Sequence, residues 1–395
     1  MEERVKNRRF DLDWIRVIAI LTIFIFHTGR FFDPFDWHVK NVIEYEGMGI
    51  WSSFLVSWGM PLIFTISGAS LFFSIKGAGK FIKDKVLRLL VPLIVGVFTH
   101  AALGVYFERI THFQFSGSFW EFYPRYFDGL YGTGGNFAWM GLHLWYLLVL
   151  FVYSVVFLPV FYLLKGAGKS FIKWFGDLVS LPGVFYLLFI PISWIMIKLD
   201  PNSVLGVRSW GGWNLIGYIP FFFYGYLFMS NDKLQESIKK WRWVSLALAV
   251  SCTLGLAYSS IQYDPALFGS KEYALINGLY GLNAWLWVLV IFGVCMQYLN
   301  IQRKFIVYAT EAVLPFYILH QTILLSIGYF VVRWGIPVPL KFVVIGMSSF
   351  VIVMLLYEFL IRRFNFIRFL FGMKLVSAAR SHPADLEPDF AVKTL

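Results

Sequence analysis

Charge is scarce in this chain. Only 14% of its 395 residues are Asp, Glu, Lys or Arg, against 58% hydrophobic, an excess of apolar sequence that excludes a soluble globular domain. Cysteine is scarcer still. Cys252 and Cys295 both fall inside apolar stretches, which excludes a disulfide framework and offers no metal-ligand spacing, so no metal is expected. No small-x-small cleavage site follows the first apolar run, which is therefore expected to be retained rather than removed as a signal peptide. A phosphate-binding loop is excluded as well. Gly168-Lys169-Ser170 has the ending of that motif, but position 163 is Leu where a Gly is required, and an apolar helix stands where a strand should.

What the sequence has in quantity is apolar runs of spanning length. A membrane helix needs about 20 mostly apolar residues, and ten stretches meet that need: about 14–32, 50–75, 86–108, 142–164, 182–199, 212–229, 243–261, 274–299, 312–332 and 339–361. The expected fold is an all-α polytopic membrane protein, a bundle of about ten transmembrane helices. One domain would cover 1–374, with a polar, Pro-containing and disordered tail over 375–395. Of the 34 Lys and Arg residues, 25 fall on the side of the N-terminus and 9 on the other. That bias predicts both termini cytoplasmic, in a multi-pass protein of the cytoplasmic (inner) membrane. The net charge of +11 then reports topology and contact with the lipid bilayer rather than nucleic acid.

The first helix carries the strongest polar signal. From Val17 to Phe26 it is apolar apart from Thr22, yet Asp13 and Arg16 stand at its entrance and His27 near its end. At ~100° and ~1.5 Å per residue, Arg16 and His27 lie within about 20° on one face and roughly 16 Å apart, with Asp13 on the same stripe. Ionisable groups inside a bilayer cost on the order of 3 kcal/mol each, so they are functional candidates by default. The blander reading of His27 alone is a neutral imidazole bonded to a neighbouring backbone group.

Other polar residues invite the same question. The ninth stretch holds Glu311, Pro315, Tyr317, His320 and Gln321 within about three turns, and Pro315 frees a backbone carbonyl that needs a partner. The fourth opens GLHLWYL, which sets His143 and Trp145 at the outer lip. Lys85 and Arg88 on the third could be snorkelling topology anchors, and that helix also contains His100 and Glu108. Two near-copies, KGAGK at 76–80 and 165–169, read as Gly turns flanked by Lys anchors or as traces of duplication. Outside, the segment 31–49 is rich in acids, whereas 110–141 carries Trp120, Tyr123, Tyr126 and Trp139, and 208–214 carries Trp210 and Trp213. Such aromatics are membrane-interface anchors or platforms for sugar rings.

Arg16, ten intervening residues and His27 resemble the Arg-x10-His signature of the acyltransferase-3 family of integral membrane acyltransferases. Lys85-Val-Leu-Arg88 before Leu-Leu-Val-Pro92 resembles its Arg-x-x-Arg element, with Lys in place of the first Arg. GLHLWYL and LPFYILHQ resemble its fourth- and ninth-helix elements, with one Leu between Gly141 and His143. Asp13-Trp14 and the chain length most resemble the branch containing the periplasmic-glucan succinyltransferases. The resemblance implies transfer of an acetyl or succinyl group from cytosolic acyl-CoA, a co-substrate rather than a bound cofactor, to a hydroxyl of an envelope carbohydrate.

On that reading Arg16, Arg88 and Lys85 would hold the CoA phosphates and His27 would act as general base. Tyr317, Gln321 or His320 would stabilise the oxyanion, while the acceptor would enter past His143 and Trp145. Asp13 joins the substrate-binding set. The rival class is a transporter or flippase of an envelope lipid or glycan, and a third is a structural subunit of an export complex, which would leave Arg16 and His27 idle. Oligomeric state is not legible in the sequence.

Overall fold

The computed structural model describes residues 8–75, 77–203, 215–262 and 267–376. The aromatic segment 208–214 and the tail from 377 lie outside the described residues. Among the described residues no strand forms, only one isolated bridge between Leu130 and Phe137. The helices are α1 (Phe10–Gly29), α2 (Glu46–Ser74), α3 (Ala78–Thr111), α4 (Leu142–Val156, continued by Leu158–Lys165), α5 (Lys169–Val179), α6 (Val184–Lys198), α7 (Leu215–Ser230), α8 (Asp232–Lys240), α9 (Arg242–Gln262), α10 (Lys271–Tyr298), α11 (Lys304–Val331) and α12 (Val338–Ile361). Each of the ten apolar stretches contains a helix. By length and composition, α2, α3, α10, α11 and α12 are long and apolar enough to cross a membrane; counting bent α4 (50°) and the α5–α6 pair (116°) as one span each brings these to seven.

Helix α1 starts where other segments can satisfy its free backbone groups. Phe10 N–H donates to Asn300 Oδ1 at 3.1 Å, and Arg9 joins Asp11 at 2.7 Å and Gln235 at 2.8 Å. Asp11 and Asp13 in its first turn also suit the positive end of the helix dipole. From there α1 runs against α2 on one side and α11 on the other.

Close backbone approach fixes α2 to α7. A Cβ on Gly68 would lie 1.8 Å from Phe222 O, and one on Gly225 1.8 Å from Thr65 O. Only glycine permits this contact, and small residues at helix crossings replace the hydrophobic drive that lipid cannot supply. Phe64 stacks on Tyr218 beside it, with centroids 4.5 Å apart. The second KGAGK turn reaches the end of α2, where Lys165 Nζ donates to Ile75 O at 2.7 Å.

Helix α3 departs from regular α geometry twice, with π turns at Val86–Leu90 and Val97–Ala101. After it, the chain from 112 to 141 folds into a cap. A Ser118–Glu121 capping box starts a short helix at Phe119–Phe122. Tyr126 is fully buried and donates to Val97 O at 2.8 Å, so this aromatic is core, not interfacial anchor. Trp120, by contrast, is exposed. At the opposite end the chain returns through Asn365–Leu370, where buried Arg368 pairs with Glu311 at 2.9 Å. The turn after it rests on α3: Gly372 has φ +65°, and a Cβ there would come within 2.6 Å of Arg88 O.

Candidate active site

Three histidines from three helices meet at one end of the bundle. His27 Nδ1 lies 2.9 Å from His320 Nε2, and His320 Nδ1 lies 2.6 Å from Tyr317 O. A carbonyl only accepts, so His320 Nδ1 carries the proton. A neutral His320, the form an apolar interior favours, therefore presents a lone pair at Nε2. His27 must then donate from Nδ1, which leaves the lone pair of its own Nε2 without a hydrogen-bond partner among the described residues. His320 is buried and His27 only partly so. His143 Nε2 donates to Tyr317 O at 3.2 Å and Ile318 O at 3.1 Å, and its ring stands edge-on to that of His320, 5.1 Å away. Tyr317 returns its hydroxyl proton to His143 O.

Trp37 completes the cluster from the acid-rich outer segment. Its ring is stacked on His27 at 6.0 Å and 9°, and held edge-on by Phe31 at 4.7 Å. The adjacent His38 bonds to Glu108 on α3. Tyr131 donates to the same carboxylate at 2.7 Å, and burial beside Glu108 pushes the Tyr131 phenol above its ordinary pKa.

The other end of the α1 stripe is basic. Arg16 is held in a fork, Nη1 to Asp13 Oδ1 and Nη2 to Ser70 Oγ, both at 2.6 Å. Asp13 is buried and also accepts from Arg8 at 2.7 Å. Arg16, Lys85 and Arg88 lie within electrostatic reach of one another. Lys85 sits over the Phe81 ring at 5.2 Å. Arg88 is exposed and makes no ion pair among the described residues.

The predicted residues thus fall into two groups. His27, His320, Tyr317 and His143 come together; Asp13, Arg16, Lys85 and Arg88 gather at the opposite end. Trp145 joins neither, being buried against Phe64 (6.3 Å) and Tyr218 (5.8 Å) in the core instead of standing at the lip. Between the groups runs a ladder that the sequence reading missed. Ser67, one turn from Ser70 on α2, shares a 2.6 Å hydrogen bond with Tyr146, whose ring meets Tyr317 edge-on at 5.8 Å. The only signal was the i, i+3 spacing of two serines in an apolar helix. Trp37 was hidden in a segment read for its charge.

The apolar helices define a multi-pass membrane protein. The acyltransferase domain of the acyltransferase-3 family matches residues 9–358, and the chain belongs to that family. It is an acyltransferase for groups other than amino-acyl groups. Similar proteins include glucans biosynthesis protein C of Escherichia coli O6:K15:H31 (strain 536 / UPEC), 25% identical over 346 residues, covering 82% of this chain and 84% of that one. The protein of the same name from Salmonella paratyphi B (strain ATCC BAA-1250 / SPB7) is 25% identical over 347 residues with the same coverage. No solved structure matches the chain.

Proposed function

We propose that the protein moves an acetyl or succinyl group from cytosolic acyl-CoA to a hydroxyl of an envelope glucan, with His27 as general base. The observation that carries this reading is the His27–His320 hydrogen bond, since a base needs a free lone pair and an orienting partner. The acceptor hydroxyl would give its proton to His27 Nε2 as its oxygen attacks the thioester carbon. Collapse of the tetrahedral intermediate would break the C–S bond, and the imidazolium would return the proton to the departing CoA sulfur. Of the three candidates for oxyanion donor, Tyr317 and His320 have their protons committed elsewhere. Gln321 is buried, its Oε1 lacks a partner, and its amide makes no hydrogen bond among the described residues, so it is the one left for the role.

At the other end, Arg16, Lys85 and Arg88 suit a polyphosphate. The roughly 16 Å from Arg16 to His27 along α1 suits the thin arm that separates the CoA phosphates from the thioester. The reading includes ten spans, both termini cytoplasmic and an inner-membrane location, supported by the charge bias. The glucan acceptor is supported by the names of the similar proteins. The test is release of free thiol from acetyl-CoA or succinyl-CoA by purified protein, with and without glucan oligosaccharide. Glucan-dependent release that His27→Ala abolishes is the expected result; CoA that neither binds nor reacts would return the case to transport.

A further inference from the structure

The cap formed by 112–141 borders an open pocket of about 450 Å³, lined by Arg109, Gln114, Phe115, Arg125, Asp128 and Asn136 among others. It lies at the histidine end of the bundle. Arg109, in its wall, pairs with Glu108 at 2.9 Å; Glu108 holds His38, and His38 follows the Trp37 that stacks on His27.

Three features define what the cavity would take. First, its frame is rigid: Arg109 donates to Asn136 Oδ1 at 2.8 Å, Gly135 O at 2.9 Å and Gln114 Oε1 at 2.7 Å. Secondly, its charges cancel. Glu108 offsets Arg109, leaving Arg125 and Asp128, which oppose each other in sign. Neither side chain makes a hydrogen bond among the described residues; Arg125 only covers the ring of Phe115, 5.5 Å from its centroid. Thirdly, its lining is mostly polar, with Phe115 and Phe122 as the apolar side chains. A phosphate would prefer two unopposed cations and no carboxylate. A neutral polyol ring suits the mixture better: its hydroxyls can donate to Asp128 and accept from Arg125.

We propose that this cavity is a secondary binding site for a neutral hexose unit of the acceptor, holding one sugar of a glucan chain while another presents its hydroxyl at His27. The inference rests on the acyltransferase reading for its acceptor class. A polymer offers many near-equivalent hydroxyls, and a second anchoring point cuts the entropy of presenting one of them.

The test uses the purified full chain in detergent with glucose and gluco-oligosaccharides of increasing length. Asp128→Asn and Arg125→Ala should each raise the KM for the longer oligosaccharides roughly tenfold, the effect of losing one or two hydrogen bonds. The KM for acyl-CoA, kcat and the KM for glucose should not move. Direct binding of oligosaccharide without donor should survive His27→Ala and weaken in Asp128→Asn. Unchanged KM and unchanged binding in both cap variants would overturn the site. So would an Arg125→Ala variant that loses only its affinity for phosphatidylglycerol vesicles, since the cavity would then be holding a lipid headgroup. If no glucan supports thiol release, the glucan-acceptor reading fails, while the binding measurement still decides whether the cavity takes a sugar.

Discussion

His27 and His320, 293 positions apart in the chain, face each other across 2.9 Å. The contact ties α1 to α11 and fixes which nitrogen of His27 is free. His27→Ala should lower turnover by roughly 10²–10⁴-fold, the usual worth of general-base catalysis. Acyl-CoA binding should persist, which equilibrium binding of a non-hydrolysable CoA thioether can check. A His27→Ala enzyme with normal turnover would end the proposed role.

Removing His320 takes away the acceptor for His27 Nδ1–H but leaves the base itself. His320→Ala should therefore cost less, about 10–100-fold in kcat, the range seen when an orienting partner is lost, with the KM for acyl-CoA unchanged. Equal losses for the two variants would mean that the pair acts as one unit.

At the basic end, Arg16 spends two of its nitrogens on Asp13 and Ser70. Arg16→Ala should raise the KM for acyl-CoA by about 10–100-fold, from loss of a charge-assisted contact worth ~1.5–3 kcal/mol. Ser70→Ala, which only loosens the fork, should raise it by a few-fold. The initial rate of thiol release against donor concentration separates these outcomes.

The α2–α7 crossing gives a prediction about stability alone. Gly225→Ala places a methyl group where Thr65 O stands 1.8 Å away, so the helices must part. The expected loss is on the order of 1–3 kcal/mol, read as a lower thermal midpoint of the detergent-purified protein. Gly255→Ala, where nothing lies within 4 Å of the added carbon, is the matched control.

Much of this was legible because a membrane helix announces itself by length and hydropathy, and because α1 is regular enough for a helical wheel to work. The wheel joined Arg16 to His27; in the structure Arg16 bonds to Ser70 on α2 and His27 to His320 on α11. No wheel would serve on α3, where each π turn accommodates an extra residue and rotates the remainder of the helix by about 100°. The facing of Lys85, Arg88, His100 and Glu108 could not be read off a uniform helix. Trp145 was misjudged for a different reason. Its place at the start of a helix suggested a lip, but the rings of Phe64 and Tyr218 cover it. Ser67 and Tyr146 were invisible because a hydroxyl pair becomes a site only when two helices bring it together.

The glycine contacts between α2 and α7 also bear on motion. Two helices whose carbonyls crowd each other's α-carbons cannot slide or rotate independently, because any shift drives backbone into backbone. They move as a single strut. Whatever breathing the bundle undergoes must then be borne by the softer partners, α1, α3 with its two π turns, and α11 with its internal proline.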